Sequence, residues 1–368
     1  MTDRLKALLH TEVETLEVPP VPATEILGAG RRLRRRRTGS IWGSAALVVA
    51  VVAGGALVAR THDDGQTPLP TTPPPPVQVA WALDDTVYVG VDGHPVLMPE
   101  VAQTMYYTSA GVLVRTNKDG ASDGGAPFHF QLIKTNGTVS PVDVTLGEVV
   151  PSTDPTQPYL AWATQTAGRI QVVVHDVTTD QDVATVDVPG SFTWGGWAAP
   201  PVALSGDLVY VGTDDQTAVV NWHTDEATTT EVIKADQLPE VSGGRTVTVS
   251  GGAKKPMANV VEVATGRDLL DIPISLGEQV TLSPDGRYAA ADVISPGHPI
   301  QVYDVATGAS TTILGPPGGI GWTSDGSFFH VEDKRLSLCS PTTGACHRTP
   351  VPDVGDGFVR YSGLAYES

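Results

Sequence analysis

Leu282-Ser283-Pro284-Asp285-Gly286-Arg287-Tyr288, followed by Val302-Tyr303-Asp304-Val305-Ala306-Thr307-Gly308, is the stretch that decides the fold. In each run, apolar or β-branched residues lead into a turn. The first closes on a Ser/Asp/Gly turn, and the second joins two strands through a Thr-Gly turn. The two turns differ in kind and their closing glycines, Gly286 and Gly308, are 22 residues apart. That spacing describes two hairpins of one antiparallel sheet.

Further out along the chain, the first signal recurs at Trp322-Thr323-Ser324-Asp325-Gly326-Ser327-Phe328. Looser copies lie at 204–210, 241–247, 107–113 and 81–88, with a distorted one in 151–162. The second signal recurs at Val261-Glu262-Val263-Ala264-Thr265-Gly266 and at 339–344, and more loosely at 134–137, 176–180 and 223–226. Its closing residues Gly137, Asp180, Glu226, Gly266, Gly308 and Gly344 stand 43, 46, 40, 42 and 36 positions apart. A period near 40 with four strands per unit predicts an all-β chain folded as a β-propeller. Seven four-stranded blades are expected, or six if the ends are shared differently. One four-stranded sheet cannot bury both faces, so each blade needs a neighbour on either side until the ring closes. Residues 77–98 hold only three strands, and the run from Phe358 to Tyr366 is the expected fourth. Small residues in Trp194-Gly195-Gly196-Trp197 and Gly318-Gly319-Ile320-Gly321 are expected where the innermost strands crowd the axis.

At these residues the chain resembles the WD40-like propellers of bacterial envelope proteins. Ser283 to Ala290 is similar to the TolB-type repeat and Val302 to Gly308 to the YVTN and lactonase-like repeat, with no recurring Trp-Asp or Gly-His pair. The resemblance implies a propeller across residues 77–368. It does not choose among receptor, adaptor and enzyme, because one fold hosts all three.

The N-terminal part reads differently. Residues 40–59 carry no ionisable side chain, and a helix of that length spans the roughly 30 Å hydrocarbon core of a bilayer. Arg31, Arg32, Arg34, Arg35, Arg36 and Arg37 precede it, which places residues 1–38 in the cytoplasm and the propeller outside the cell membrane. The apolar run is too long and too far from the N-terminus for a cleaved signal peptide, so it is read as a signal anchor. Residues 60–76, rich in Pro and Thr and ending in four prolines, form a semi-rigid stalk. Leu5, Leu8, Leu9, Val13 and Leu16 give residues 2–17 an amphipathic helical pattern, suited to a cytoplasmic partner or to the lipid surface. This layout is similar to that of membrane-bound anti-sigma factors of Gram-positive bacteria, but fewer than 40 residues cannot build their helical sigma-binding bundle. High Ala, Gly, Val and Pro usage with few Lys suggests a GC-rich, actinobacterial coding style.

Charge separates the two sides. Residues 1–60 hold 9 Lys+Arg against 5 Asp+Glu, and residues 61–368 hold 14 against 36. So acidic an outer domain repels nucleic acid and anionic headgroups. Cys339 and Cys346 flank an outer hairpin turn and are expected to form a disulfide. The sequence contains no Gly-x-Ser-x-Gly elbow, His-Glu-x-x-His or phosphate loop, so no catalytic residue and no cofactor is assigned. Residues 119–125 and Asp214-Asp215 are acidic turns with oxygen ligands for calcium, short of a full coordination set. Trp194 and Trp197 are the candidate ligand platform, with packing between blades as the competing reading. Three functions follow: a stalked propeller binding a protein or envelope ligand, a propeller hydrolase or lactonase with a divalent cation at the axis, and a transmembrane signalling regulator acting through residues 2–17.

Overall fold

The computed structural model describes residues 78–363, apart from 122–124, 194–195, 236, 252–254, 276–277, 294–298, 314–318, 333 and 356. The expectations for residues 1–38, 40–59 and 60–76 therefore lie outside the described residues.

Seven antiparallel sheets follow one another along the chain. The first holds β1 (Ala80–Leu83), β2 (Thr86–Val89) and β3 (His94–Leu97), the second β4 (Val101–Thr108), β5 (Gly111–Asn117), β6 (Phe128–Lys134) and β7 (Val139–Leu146). The third comprises β8 (Ser152–Thr153), β9 (Tyr159–Thr166), β10 (Arg169–Asp176) and β11 (Gln181–Val188), and the fourth β12 (Val202–Ser205), β13 (Leu208–Gly212), β14 (Thr217–Asn221) and β15 (Glu226–Thr230). Blade five has β16 (Arg245–Ser250), β17 (Met257–Glu262) and β18 (Arg267–Pro273). Blade six has β19 (Glu278–Leu282), β20 (Tyr288–Val293), β21 (Ile300–Asp304) and β22 (Ser310–Ile313). Blade seven has β23 (Gly321–Trp322), β24 (Phe328–Glu332), β25 (Arg335–Cys339) and β26 (Cys346–Pro350). The last strand, β27 (Arg360–Tyr361), returns to pair with β1 as the innermost strand of blade one.

The seven-blade expectation holds, and so does the C-terminal latch. Two details differ from the sequence reading. The hairpin at 81–88 joins the second and third strands of its blade, because β27 takes the innermost place. Blade five has three strands, and its innermost position is reduced to a bridge between Ser242 and Arg245. A Gly243-Gly244 turn follows Ser242 at once and leaves no length for a further ladder.

Alternation along each strand divides the core among the blade junctions. On β4, Met105 and Tyr107 pack toward blade one, while Tyr106 packs toward blade three. Other apolar clusters fill the junctions between blades four and five, five and six, six and seven, and seven and one. Trp81 and Trp322 are fully buried, each side chain contributing about 1.5–3 kcal/mol of apolar burial. Gly321, on an innermost strand, has no room for a larger residue: a Cβ there would lie 2.7 Å from the Phe329 ring.

Candidate functional site

The turns between first and second strands gather around the axis, and hydrogen bonds tie most of them to a neighbour. Ser109 N donates to Gln157 O at 3.0 Å, and Thr153 Oγ1 donates to Tyr107 O at 2.8 Å. Gly206 N donates to Asp154 Oδ2 at 2.8 Å, and Gly244 N donates to Ser205 Oγ at 3.0 Å. Arg245 Nη1 donates to Gly286 O at 2.5 Å, and Gly326 lies against Asp285. Gln78 closes the circuit: its N–H donates to Ser324 Oγ at 2.9 Å and its Nε2 to Thr108 O at 3.2 Å. Buried polar groups are affordable here because so many find partners.

Within this belt lies a cavity of about 60 Å³, enough for several waters or a small ligand group. Tyr106, Tyr107, Ser152, Asp154, Val241 and Pro284 are among the residues that line it. Asp154 is the one charged side chain of the lining and is 8% exposed. Its Oδ1 accepts from Thr156 N at 2.8 Å and Thr156 Oγ1 at 2.6 Å, its Oδ2 from Gly206 N. The distorted turn in 151–162 builds this wall: Asp154-Pro155-Thr156-Gln157-Pro158 is a wider turn than Gly206-Asp207 in the next blade. The distortion is legible in the sequence but the site is not, since the lining comes from six blades and no single motif contains it.

The ring closes beside the cavity. Ser362 Oγ donates to Ala80 O at 2.6 Å, and Tyr107 Oη lies 2.5 Å from Ser362 Oγ and 2.9 Å from Trp322 O. One phenolic proton thus serves two acceptors, one on each side of the seam. Burial pushes the Tyr107 phenol well above its ordinary pKa, so it stays a donor.

Of the residues singled out from sequence, Cys339 and Cys346 are opposite each other on β25 and β26 and form a disulfide, with S–S 2.06 Å. Trp197 is half-buried and packs against the apolar cluster of blades two to four, in the link between β11 and β12 and outside any innermost strand. Trp194 lies outside the described residues. Asp119 Oδ1 accepts from Ala121 N, and the rest of that acidic turn, 122–124, is outside the described residues. Asp214 accepts from Thr193 N, Thr193 Oγ1 and Ser191 Oγ, and these bonds hold its carboxyl below the usual range. Among the described residues, no three His, Cys, Asp or Glu side chains converge as metal ligands. His175 is buried between Asp182 and Asp180, and Asp180 also accepts from Asp143 N of the neighbouring blade. That histidine is thus part of the interblade packing.

No protein-family model matches the sequence, and neither does any curated protein. Solved structures similar to the chain include TolB from Acinetobacter baumannii, at 13% identity over 77% of this chain and 65% of that one, TM-score 0.39. A provisionally assigned 6-phosphogluconolactonase from Bacteroides uniformis is 14% identical over 77% of this chain and 99% of its own, TM-score 0.46. The Cps50 (Swd1) β-propeller domain of Myceliophteria thermophila is 10% identical over 76% and 90%, TM-score 0.41. At these identities the likeness is one of fold.

Proposed function

We propose that the protein is a single-pass membrane protein, N-terminus inside, that presents its propeller outside the membrane as a binding module for a protein or envelope ligand. The observation that carries the binding role is the axial cavity, walled by turns that hydrogen bonds lock to one another. A rigid concave site with a few placed polar groups is the usual form of a binding site. The anchoring role is supported by the uncharged run at 40–59, its arginine flank and the proline spacer.

The test is in-cell cross-linking of the full-length protein with identification of captured partners, alongside a variant lacking residues 2–17 and a C-terminal topology reporter. Partners retained by the variant, with the reporter active only outside the membrane, are the expected result. Loss of every partner on deletion would move the function to the cytoplasmic segment.

A further inference from the structure

We infer that the axial cavity takes a primary ammonium group, presented as a lysine side chain of the partner. The inference rests on reading the propeller as a binding module and names the chemistry of what it binds. Three observations lead to it.

The first is charge. Among the lining residues Asp154 is the one ionisable acid, and there is no Lys, Arg or His in the wall. Asp154 as a residue is 8% exposed, and the three donors to its carboxyl group are two backbone N–H groups and a threonine hydroxyl, all neutral. A buried carboxyl group whose donors are all neutral has no cationic partner in the wall, and a cation brought from outside would supply one. The excess of acidic residues over the whole outer domain steers cations toward it.

The second is valence. A carboxylate offers about four lone-pair positions, two on each oxygen. Thr156 occupies two on Oδ1 and Gly206 N one on Oδ2, which leaves a single position on Oδ2. A guanidinium fork is best matched by two free carboxylate positions in parallel, whereas a compact ammonium needs one. Ser152 and Thr153 line the same cavity; the Ser152 hydroxyl oxygen accepts from Leu204 N and the Thr153 hydroxyl donates to Tyr107 O, so each keeps an acceptor position.

The third is shape. The wall also holds Tyr106, Tyr107, Val241, Leu204, Pro155 and Pro284. Aromatic and aliphatic surface around a buried acid suits a methylene stem ending in a charge. A cavity of about 60 Å³ admits the end of such a stem.

The experiment is calorimetric titration of the full chain in detergent with N-acetyl-lysine methylamide, N-acetyl-norleucine methylamide, N-acetyl-arginine methylamide and n-pentylamine. The lysine probe is expected to bind, more weakly as salt rises, and at least about tenfold more tightly than the uncharged norleucine and the arginine probes. Asp154→Asn should lower lysine-probe affinity about tenfold. If that variant fails to fold, Tyr106→Leu should weaken the same probe, since it removes aromatic wall without touching the carboxylate. Equal binding of n-pentylamine supports the ammonium site but assigns it to free amines. Equal binding of norleucine, or undiminished lysine binding by a folded Asp154→Asn chain, overturns the inference. Cross-linked partners that persist in Asp154→Asn cells would leave the binding-module role standing and reject this site alone.

Discussion

Glu240 shows how one side chain couples the fold to pH. It lies in the link that leads into blade five, next to Val241 of the cavity wall. Burial alone raises its pKa from 4.5 to about 7. A carboxyl whose folded pKa is raised binds more protons folded than unfolded between those two values, so stability falls as pH rises through that window. The full effect is on the order of 3 kcal/mol as an upper bound. Glu240→Gln is expected to flatten the pH dependence of the melting temperature between pH 4.5 and 7 and to melt higher than the parent at pH 8. Equal slopes in the two proteins would show that Glu240 is well solvated. Three histidines have an acidic partner: His129 meets Glu100, His175 meets Asp180 and Asp182, and His223 meets Asp207.

Among the elements, blade five is the least complete sheet, and its neighbours make up for the missing innermost strand. Ser242 exchanges two backbone hydrogen bonds with Arg245, and Gly243 turns the chain at φ +55. A Cβ on Gly243 would lie 2.1 Å from Asp285 O of the next blade, so the turn requires glycine both for its conformation and for its contact. Gly243→Ala is expected to destabilise by about 2 kcal/mol or more, with faster hydrogen exchange concentrated in β16 and β19. Uniform exchange across all blades would argue that the turn does not couple blades five and six. The disulfide acts at the outer edge of its blade, joining buried Cys339 of β25 to exposed Cys346 of the outermost strand β26.

For the whole molecule, closure depends on three residues near the C-terminal end of the described chain. Arg360 Nη1 donates to Gln103 O and its Nη2 to Gly120 O, both in blade two. Tyr361 Oη bonds the Val331 backbone of blade seven, and Ser362 reaches Ala80 of blade one. Blades that lean on two neighbours share their stability around the ring, and an open ring leaves two uncovered faces. Deleting residues 360–368 is expected to replace a single cooperative melt by a broad, low transition and to expose the Trp81 face to a hydrophobic dye. A sharp melt near the parent temperature would mean that the ring closes without its latch.

Strand-turn periodicity near 40 residues specified the blades and a count of seven, with six as the alternative, because each blade is a local pattern repeated along the chain; the three-strand first unit pointed to the latch, and two cysteines flanking one turn pointed to the disulfide. Leu282 to Tyr288 and Val302 to Gly308 carry their own turn chemistry and need no partner to be read. The innermost place of β27, the missing strand of blade five and the cavity around Asp154 were decided only by tertiary structure. The reason is geometric: Tyr106, Ser152, Leu204, Val241, Pro284 and Gly363 are separated by tens to hundreds of residues and meet only when the ring closes. No local propensity records that meeting, and a carboxylate becomes a buried charge only after its neighbours arrive.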